Sequence, residues 1–137
     1  MKLTKICSAA LLAALLSPPP LLAKPMPSGR PTPAEMPMLP DYCRARFGSD
    51  ENQRKSYEQK FGAKNFAHIH HHCIGLNLLN RVQLTFDKRL RAYYLQQAVS
   101  EFNYVLTRWP KDFVLTAEAA SGKNRAETMQ KTTPSGR

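Results

Sequence analysis

The clearest pattern in the chain lies between residues 87 and 109, where apolar side chains recur every three or four positions. At about 100° per residue they fall within one arc of about 120°. The arc consists of Tyr94, Leu95, Ala98, Phe102, Val105, Leu106 and Trp109. This spacing predicts a long amphipathic helix, which Pro110 ends.

Two further helices are predicted before it. The first runs from Asp50 to about Lys60, because Asp50 is a good capping residue and Gly62 is typical of a helix end. The second covers residues 65 to about 82 and is apolar on two faces, which is typical of a central helix. No segment alternates apolar and polar residues over more than four positions. We therefore predict an all-α domain of three helices over residues 41–115.

Both flanks of this domain differ from it in composition. Residues 24–40 contain many prolines and few large apolar side chains. Because such a segment cannot bury enough surface to offset its ordering entropy, we expect a disordered, extended spacer. Residues 116–137 are polar and contain the helix breakers Gly122 and Pro134. We expect a tail that frays after one or two helical turns.

The first 23 residues have the three parts of a secretory signal peptide: the basic Lys2 and Lys5, an apolar stretch over residues 6–16, and the small Ala23. The apolar stretch is shorter than the roughly 20 residues that a membrane-spanning helix needs. We therefore expect cleavage after Ala23 and export to the periplasm or to the medium.

Export determines which cysteines remain in the mature chain and whether they can form a disulfide. Cys7 leaves with the signal peptide, so Cys43 and Cys73 remain. An even number of cysteines in an oxidising compartment favours pairing, and we predict a disulfide between these two. A core this small is marginal, and closing such a loop stabilises it by roughly 3 to 4 kcal/mol in the chain-entropy model.

The charge of the chain limits its partners. The formal net charge is +10 over 137 residues, and it stays strongly positive without residues 1–23. This balance favours acidic partners and weak, salt-sensitive contact with anionic surfaces. We expect no nucleic acid, because the chain is exported and no basic stretch is interleaved with stacking aromatics.

A run of histidines is the densest chemical feature. On a continuous helix, His68, His71 and His72 share an arc of about 100°, while His70 points elsewhere. Such a face could hold Zn²⁺, Cu²⁺ or Ni²⁺. Two alternatives stay open: the histidines pack against the spacer or the third helix, or they form a pH-responsive contact.

A second candidate is a stripe on the third helix opposite its apolar arc. It consists of Tyr93, Gln97, Ser100, Tyr104 and Arg108. Two tyrosines beside an arginine are typical of a hot spot for a partner, so we predict partner binding by Tyr93, Gln97, Tyr104 and Arg108. The alternative is that the first helix, the tail or a neighbouring chain covers them.

Signals of catalysis are missing from the sequence. No glycine-rich phosphate loop is present, the acidic residues are scattered, and no serine has the context of a nucleophile. We predict that the chain is not an enzyme and needs no cofactor, apart from the metal that the histidines could hold.

The third predicted helix also carries a family resemblance. Ala98, the aromatic Phe102 four positions later and then Pro110 resemble the second helix of a tetratricopeptide repeat. In that family the small residue lets neighbouring helices approach, the aromatic fills the groove between them, and the proline ends the unit. The resemblance implies that residues 65–82 form the first helix of the pair and that a next unit begins at Val114.

The segment His71-His72-Cys73-Ile74-Gly75-Leu76 is also similar to a motif of small exported bacterial repeat-like proteins. Tetratricopeptide modules bind peptides or proteins along a groove, so the resemblance implies a binding or scaffold role toward another exported protein. Because at least three repeats are usually needed for a stable array, self-association is a further expectation. The alternatives are a periplasmic metal-binding protein and a degenerate relative that binds nothing specifically.

Overall fold

The computed structural model describes residues 25–132, which form six α-helices and a short 3-10 helix and contain no strand. The α-helices are α1 (Asp41–Phe47), α2 (Glu51–Phe61), α3 (Ala63–Phe66), α4 (Ile69–Leu84), α5 (Lys88–Leu106) and α6 (Thr116–Thr132), and the 3-10 helix is Met36–Met38. The all-α prediction is confirmed for this part of the chain. None of the helices in residues 25–132 combines the length and the hydropathy that a membrane-spanning segment requires. The predicted signal peptide, residues 1–23, lies outside the described residues.

Local capping explains where two of the predicted helices begin and end. The Asp50 carboxylate accepts hydrogen bonds from the backbone N–H groups of Asn52 and Gln53, each at 3.0 Å, and so starts α2. Gly62 ends α2 with φ of +80°, a conformation that favours glycine. Asp87 starts α5 in the same way as Asp50 starts α2. The predictions of helices α2 and α5 are confirmed, although α5 ends at Leu106 rather than at the predicted Trp109.

The long helices pack around one aromatic ring. Helices α4 and α5 form an antiparallel hairpin, and α6 returns along α5. Phe102 of α5 is fully buried between two glycines. A β-carbon on Gly75 of α4 would lie 2.8 Å from the Phe102 ring, and one on Gly122 of α6 would lie 2.5 Å from it. The absence of a side chain at both positions lets the three helices approach closely.

The disulfide prediction is confirmed. Cys43 of α1 and Cys73 of α4 are bonded, with their Cα atoms 5.5 Å apart, and both side chains are fully buried. The bond ties α1, which the sequence did not predict, to the first half of α4.

The predicted central helix is not continuous. The chain forms α3, turns at Ala67 and His68, and begins α4 at Ile69. The indole N–H of Trp109 donates to the carbonyl of Asn65 at 3.1 Å. In an unbroken helix the Asn65 carbonyl would accept a hydrogen bond from the N–H of Ile69. Here it accepts one from the distant Trp109 at the point where the helix is interrupted.

The expected frayed tail is wrong for residues 116–132, because they form the long helix α6. Its buried residues are the small Ala119, Gly122 and Ala126. Gly122 acts as a contact for Phe102 rather than as a helix breaker. Small residues let α6 approach α5, and this packing outweighs the low helix propensity of glycine.

The expected disordered spacer is also wrong for residues 25–40, which we call the strap. Arg81 of α4 donates to the Glu35 carboxylate at 2.6 and 3.0 Å and to the carbonyl of Ser28. Hydrogen bonding from Arg81 is the main reason that the pKa of Glu35 is lowered to about 2. Leu39 at the end of the strap is only 2% exposed. One half-buried ion pair with α4 and one buried apolar side chain therefore anchor the strap.

Candidate binding surface

The start of α4 and the end of α5 lie together at one end of the hairpin, and there the two predicted sites meet. The hydroxyl of Tyr104 lies 3.4 Å from Nδ1 of His68. The ring centroids of Tyr104 and His71 are 3.6 Å apart, and the guanidinium carbon of Arg108 lies 3.5 Å from the Tyr104 centroid. We call His68, His71, Tyr104 and Arg108 the His–Tyr–Arg cluster.

Helical spacing and one ion pair position the cluster. Tyr104 and Arg108 are four residues apart on α5, so their side chains share a face. Glu101 lies one turn before Tyr104, and its carboxylate is 2.6 Å from Nδ1 of His71. Glu101 was missing from the sequence prediction, although its spacing of three from Tyr104 and four from Gln97 placed it in the same stripe. This carboxylate fixes the orientation of the His71 ring.

The surface around the cluster is cationic. Burial, followed by the positive charges of Arg108 and Lys64, lowers the pKa of His68. Burial also lowers the pKa of the nearby His70, and the positive charge of Arg46 contributes to this decrease. Within residues 25–132, no carboxylate forms an ion pair with Arg46, Lys64 or Arg108. Arg108 of the cluster and the nearby Lys64 thus have no carboxylate partner in this part of the chain, and Glu101 is already bonded to His71.

His72 belongs to a different environment from the other predicted metal ligands. Its side chain is 0% exposed, and Nε2 lies 3.3 Å from the Tyr42 hydroxyl and 3.7 Å from a Glu118 oxygen. The Tyr42 hydroxyl donates to the Glu118 carboxylate at 3.1 Å. Burial and then the Glu118 charge raise the pKa of Tyr42, while hydrogen bonding from His72 lowers the pKa of Glu118. These three side chains connect α1, α4 and α6.

The structure does not bring the predicted metal ligands together. His68 is the N-cap residue of α4, so the predicted helix is not continuous before this point. His68 contacts Tyr104, His71 pairs with Glu101, and His72 points into the core. No group of three or more His, Cys, Asp or Glu side chains suited to a metal ion is found in the described part of the chain.

The predicted tyrosine stripe is divided into two parts. At its beginning, the strap covers Tyr93, whose hydroxyl donates to the carbonyl of Pro27 at 3.4 Å. Gln97, one turn further along, is half-buried. At its end, Tyr104 is half-buried in the cluster and Arg108 is exposed. The accessible part of the stripe is therefore its Tyr104–Arg108 end.

Comparisons with known proteins gave no matching family model, no matching curated protein and no matching solved structure. The function proposed below rests on the geometry and charge of this surface.

Proposed function

We propose that this chain is an exported binding or scaffold module that holds an acidic segment of another exported protein on the His–Tyr–Arg cluster. The observation that carries the proposal is the placement of Arg108. Its guanidinium lies flat enough on Tyr104 for the carbon to be 3.5 Å from the ring centroid. Its Nη1 donates to the Tyr104 carbonyl and to the Thr107 hydroxyl, each at 3.2 Å, which leaves Nε and Nη2 as edge donors for a carboxylate. Stacking also reduces the side-chain entropy that binding must remove.

Charge complementarity supports an acidic partner. Arg108 is exposed, and neither it nor Lys64 forms an ion pair with a carboxylate of residues 25–132. The chain as a whole carries +10. Such a field accelerates encounter with an acidic segment, while the ordered cluster provides directional contacts.

The scaffold part of the proposal is a unit similar to a tetratricopeptide repeat, formed by α4 and α5. Phe102 between Gly75 and Gly122 supports it, because an aromatic fills the groove between neighbouring helices in that family. The position of α6 beside α5 is also compatible with the first helix of a next unit. Export is supported by the signal-like residues 1–23 and by the buried disulfide, since disulfides persist in oxidising compartments.

Calorimetry of the full chain with an oligoglutamate peptide tests this function. We expect Arg108→Gln to weaken binding about tenfold, because a charge-assisted hydrogen bond to a carboxylate is lost. Arg125→Gln is the matched control, because Arg125 is exposed on α6 and the same charge is removed. It should change the affinity less than about twofold. Equal losses in the two variants would mean that net charge alone attracts the peptide, and would overturn the proposal.

A further inference from the structure

The end of α4 and the loop that follows it expose two large apolar side chains. Phe86 is 98% exposed and Leu84 is 68% exposed. They lie at the end of the hairpin opposite the His–Tyr–Arg cluster, and Lys88 and Arg89 follow directly on the first turn of α5. We call residues 84–89 the hairpin tip.

The cations of the hairpin tip are exposed and unpaired within the described chain. No carboxylate of residues 25–132 forms an ion pair with Lys88 or Arg89. Asp87 is the acidic residue of the tip, and its carboxylate caps α5 by accepting from the N–H of Leu90 at 2.8 Å. Arg91 is already engaged within the chain, because its guanidinium donates to the carbonyl of Val82.

The end of α6 extends the positive surface beside the tip. Gln83, the residue before Leu84, contacts the sulfur of Met129 at 4.0 Å. The exposed Lys131 lies two positions after Met129 in the last turn of α6. Lys131 therefore adds positive charge to the end of α6, while Lys88 and Arg89 are the exposed cations that directly follow the two apolar side chains.

Both features of the tip are unfavourable for the isolated chain. Cations in the first turn of a helix oppose the helix dipole, and a fully exposed phenylalanine gains nothing from burial. Local departures of this kind are expected at functional surfaces. An anionic group at the tip would offset the unfavourable interaction of the cations with the helix dipole. An apolar environment would bury the exposed phenylalanine.

We propose that the hairpin tip docks on an anionic lipid surface. Phe86 and Leu84 enter the interfacial region, while Lys88 and Arg89 face the headgroup phosphates. The charge complementarity of Lys88 and Arg89 with an anionic bilayer favours this occupant. The tip also protrudes, and a lipid interface accepts a protruding aromatic without a matching pocket. This surface is separate from the His–Tyr–Arg cluster, so the inference does not depend on the proposed function.

Cosedimentation of the full chain with phosphatidylglycerol vesicles tests the proposal, with phosphatidylcholine vesicles as the neutral comparison. Neutralising the two cations in Lys88→Gln/Arg89→Gln should weaken anionic binding roughly 25-fold, at about fivefold per charge. Phe86→Ala should weaken it about tenfold. The apolar residues 6–16 are present in every variant, so they contribute a constant background.

Val114→Ala/Lys111→Gln is the matched control at the opposite end of the molecule, where Val114 is 70% exposed beside an exposed lysine. It should change vesicle binding less than about twofold. Equal loss in the control and tip variants would overturn the proposal. Loss of a protein partner in Phe86→Ala with unchanged vesicle binding would also overturn it and indicate a protein at the tip.

A depth measurement reports on the tip directly. Phe86→Trp and Val114→Trp are each mixed with anionic vesicles that contain brominated lipids. The native Trp109 is buried at the opposite end, so its fluorescence is a shared background. We expect quenching in Phe86→Trp beyond that in Val114→Trp. Binding to vesicles without additional quenching at position 86 would show that another part of the chain makes the contact.

Discussion

The two ends of the α4–α5 hairpin use similar residues in opposite ways. At one end, Tyr104 is held between the His71 ring and the Arg108 guanidinium, and Glu101 fixes the histidine. At the other end, Phe86 is almost fully exposed. An aromatic ring and a cation held in fixed positions can recognise a directional ligand such as a carboxylate. An exposed aromatic beside cations suits a lipid surface, which does not require a fixed arrangement of contacts. We therefore propose two distinct contacts rather than one general basic surface.

The largest expected effect comes from the ring that holds the two ends on one scaffold. Phe102→Ala should reduce the free energy of unfolding by about 3 to 5 kcal/mol, because it opens a cavity between α4, α5 and α6. Urea unfolding measures this loss. The exposed neighbour Asn103→Ala is the control and should change stability by less than about 0.5 kcal/mol. A loss below about 1 kcal/mol in Phe102→Ala would contradict the claim that this ring holds both ends of the hairpin on one core.

The disulfide gives the next largest effect and acts on one end more than on the other. Replacing Cys43 and Cys73 by alanine should cost about 3 kcal/mol in urea unfolding, since the loop between them is no longer closed. Reductant should destabilise the native chain and leave the double variant unchanged. The bond lies in the first half of α4, so vesicle contact through the tip should persist under conditions in which the variant stays folded. Equal sensitivity of both chains to reductant would contradict a disulfide between these residues.

Acid gives a smaller effect, through the strap. The pKa of Glu35 is about 2 in the folded chain and near 4.5 otherwise. A carboxylate whose pKa is lowered by folding stabilises the fold above its unfolded pKa and loses this contribution as pH falls through its folded pKa. Stability should therefore decrease by roughly 2 kcal/mol between about pH 4.5 and pH 2.

The variant Glu35→Gln isolates this contribution. It should lose about the same stability at neutral pH, and the acid-dependent decrease should become correspondingly smaller. Unfolding curves at several pH values measure both quantities. An unchanged acid profile in Glu35→Gln would show that Arg81 does not stabilise the strap through this carboxylate.

The sequence predicted the parts of the fold that local signals specify. Helices α2 and α5 begin at capping aspartates, and the two cysteines left without residues 1–23 are the bonded ones. The strap was missed because Glu35 is anchored by Arg81, which lies 46 residues away. Helix α6 was missed for a related reason, because the effect of Gly122 depends on Phe102 packing against it.

The candidate surface was predicted in two separate pieces. Helical spacing on α5 found Tyr104 and Arg108, and the histidine run drew attention to His68 and His71. Neither pattern predicted that α4 packs on α5 and so brings these two groups of residues together. The expected face of three histidines is not formed, because His72 points into the core while His68 and His71 contact Tyr104.

The most direct measurement compares two variants against two probes. Arg108→Gln and the tip variant Phe86→Ala/Lys88→Gln/Arg89→Gln are each titrated with oligoglutamate peptide and with phosphatidylglycerol vesicles. We predict that Arg108→Gln loses the peptide and keeps the vesicles, while the tip variant loses the vesicles and keeps the peptide. If each variant weakened both probes in proportion to the charge removed, the chain would have one diffuse basic surface, and the assignment of different roles to the two ends would be wrong.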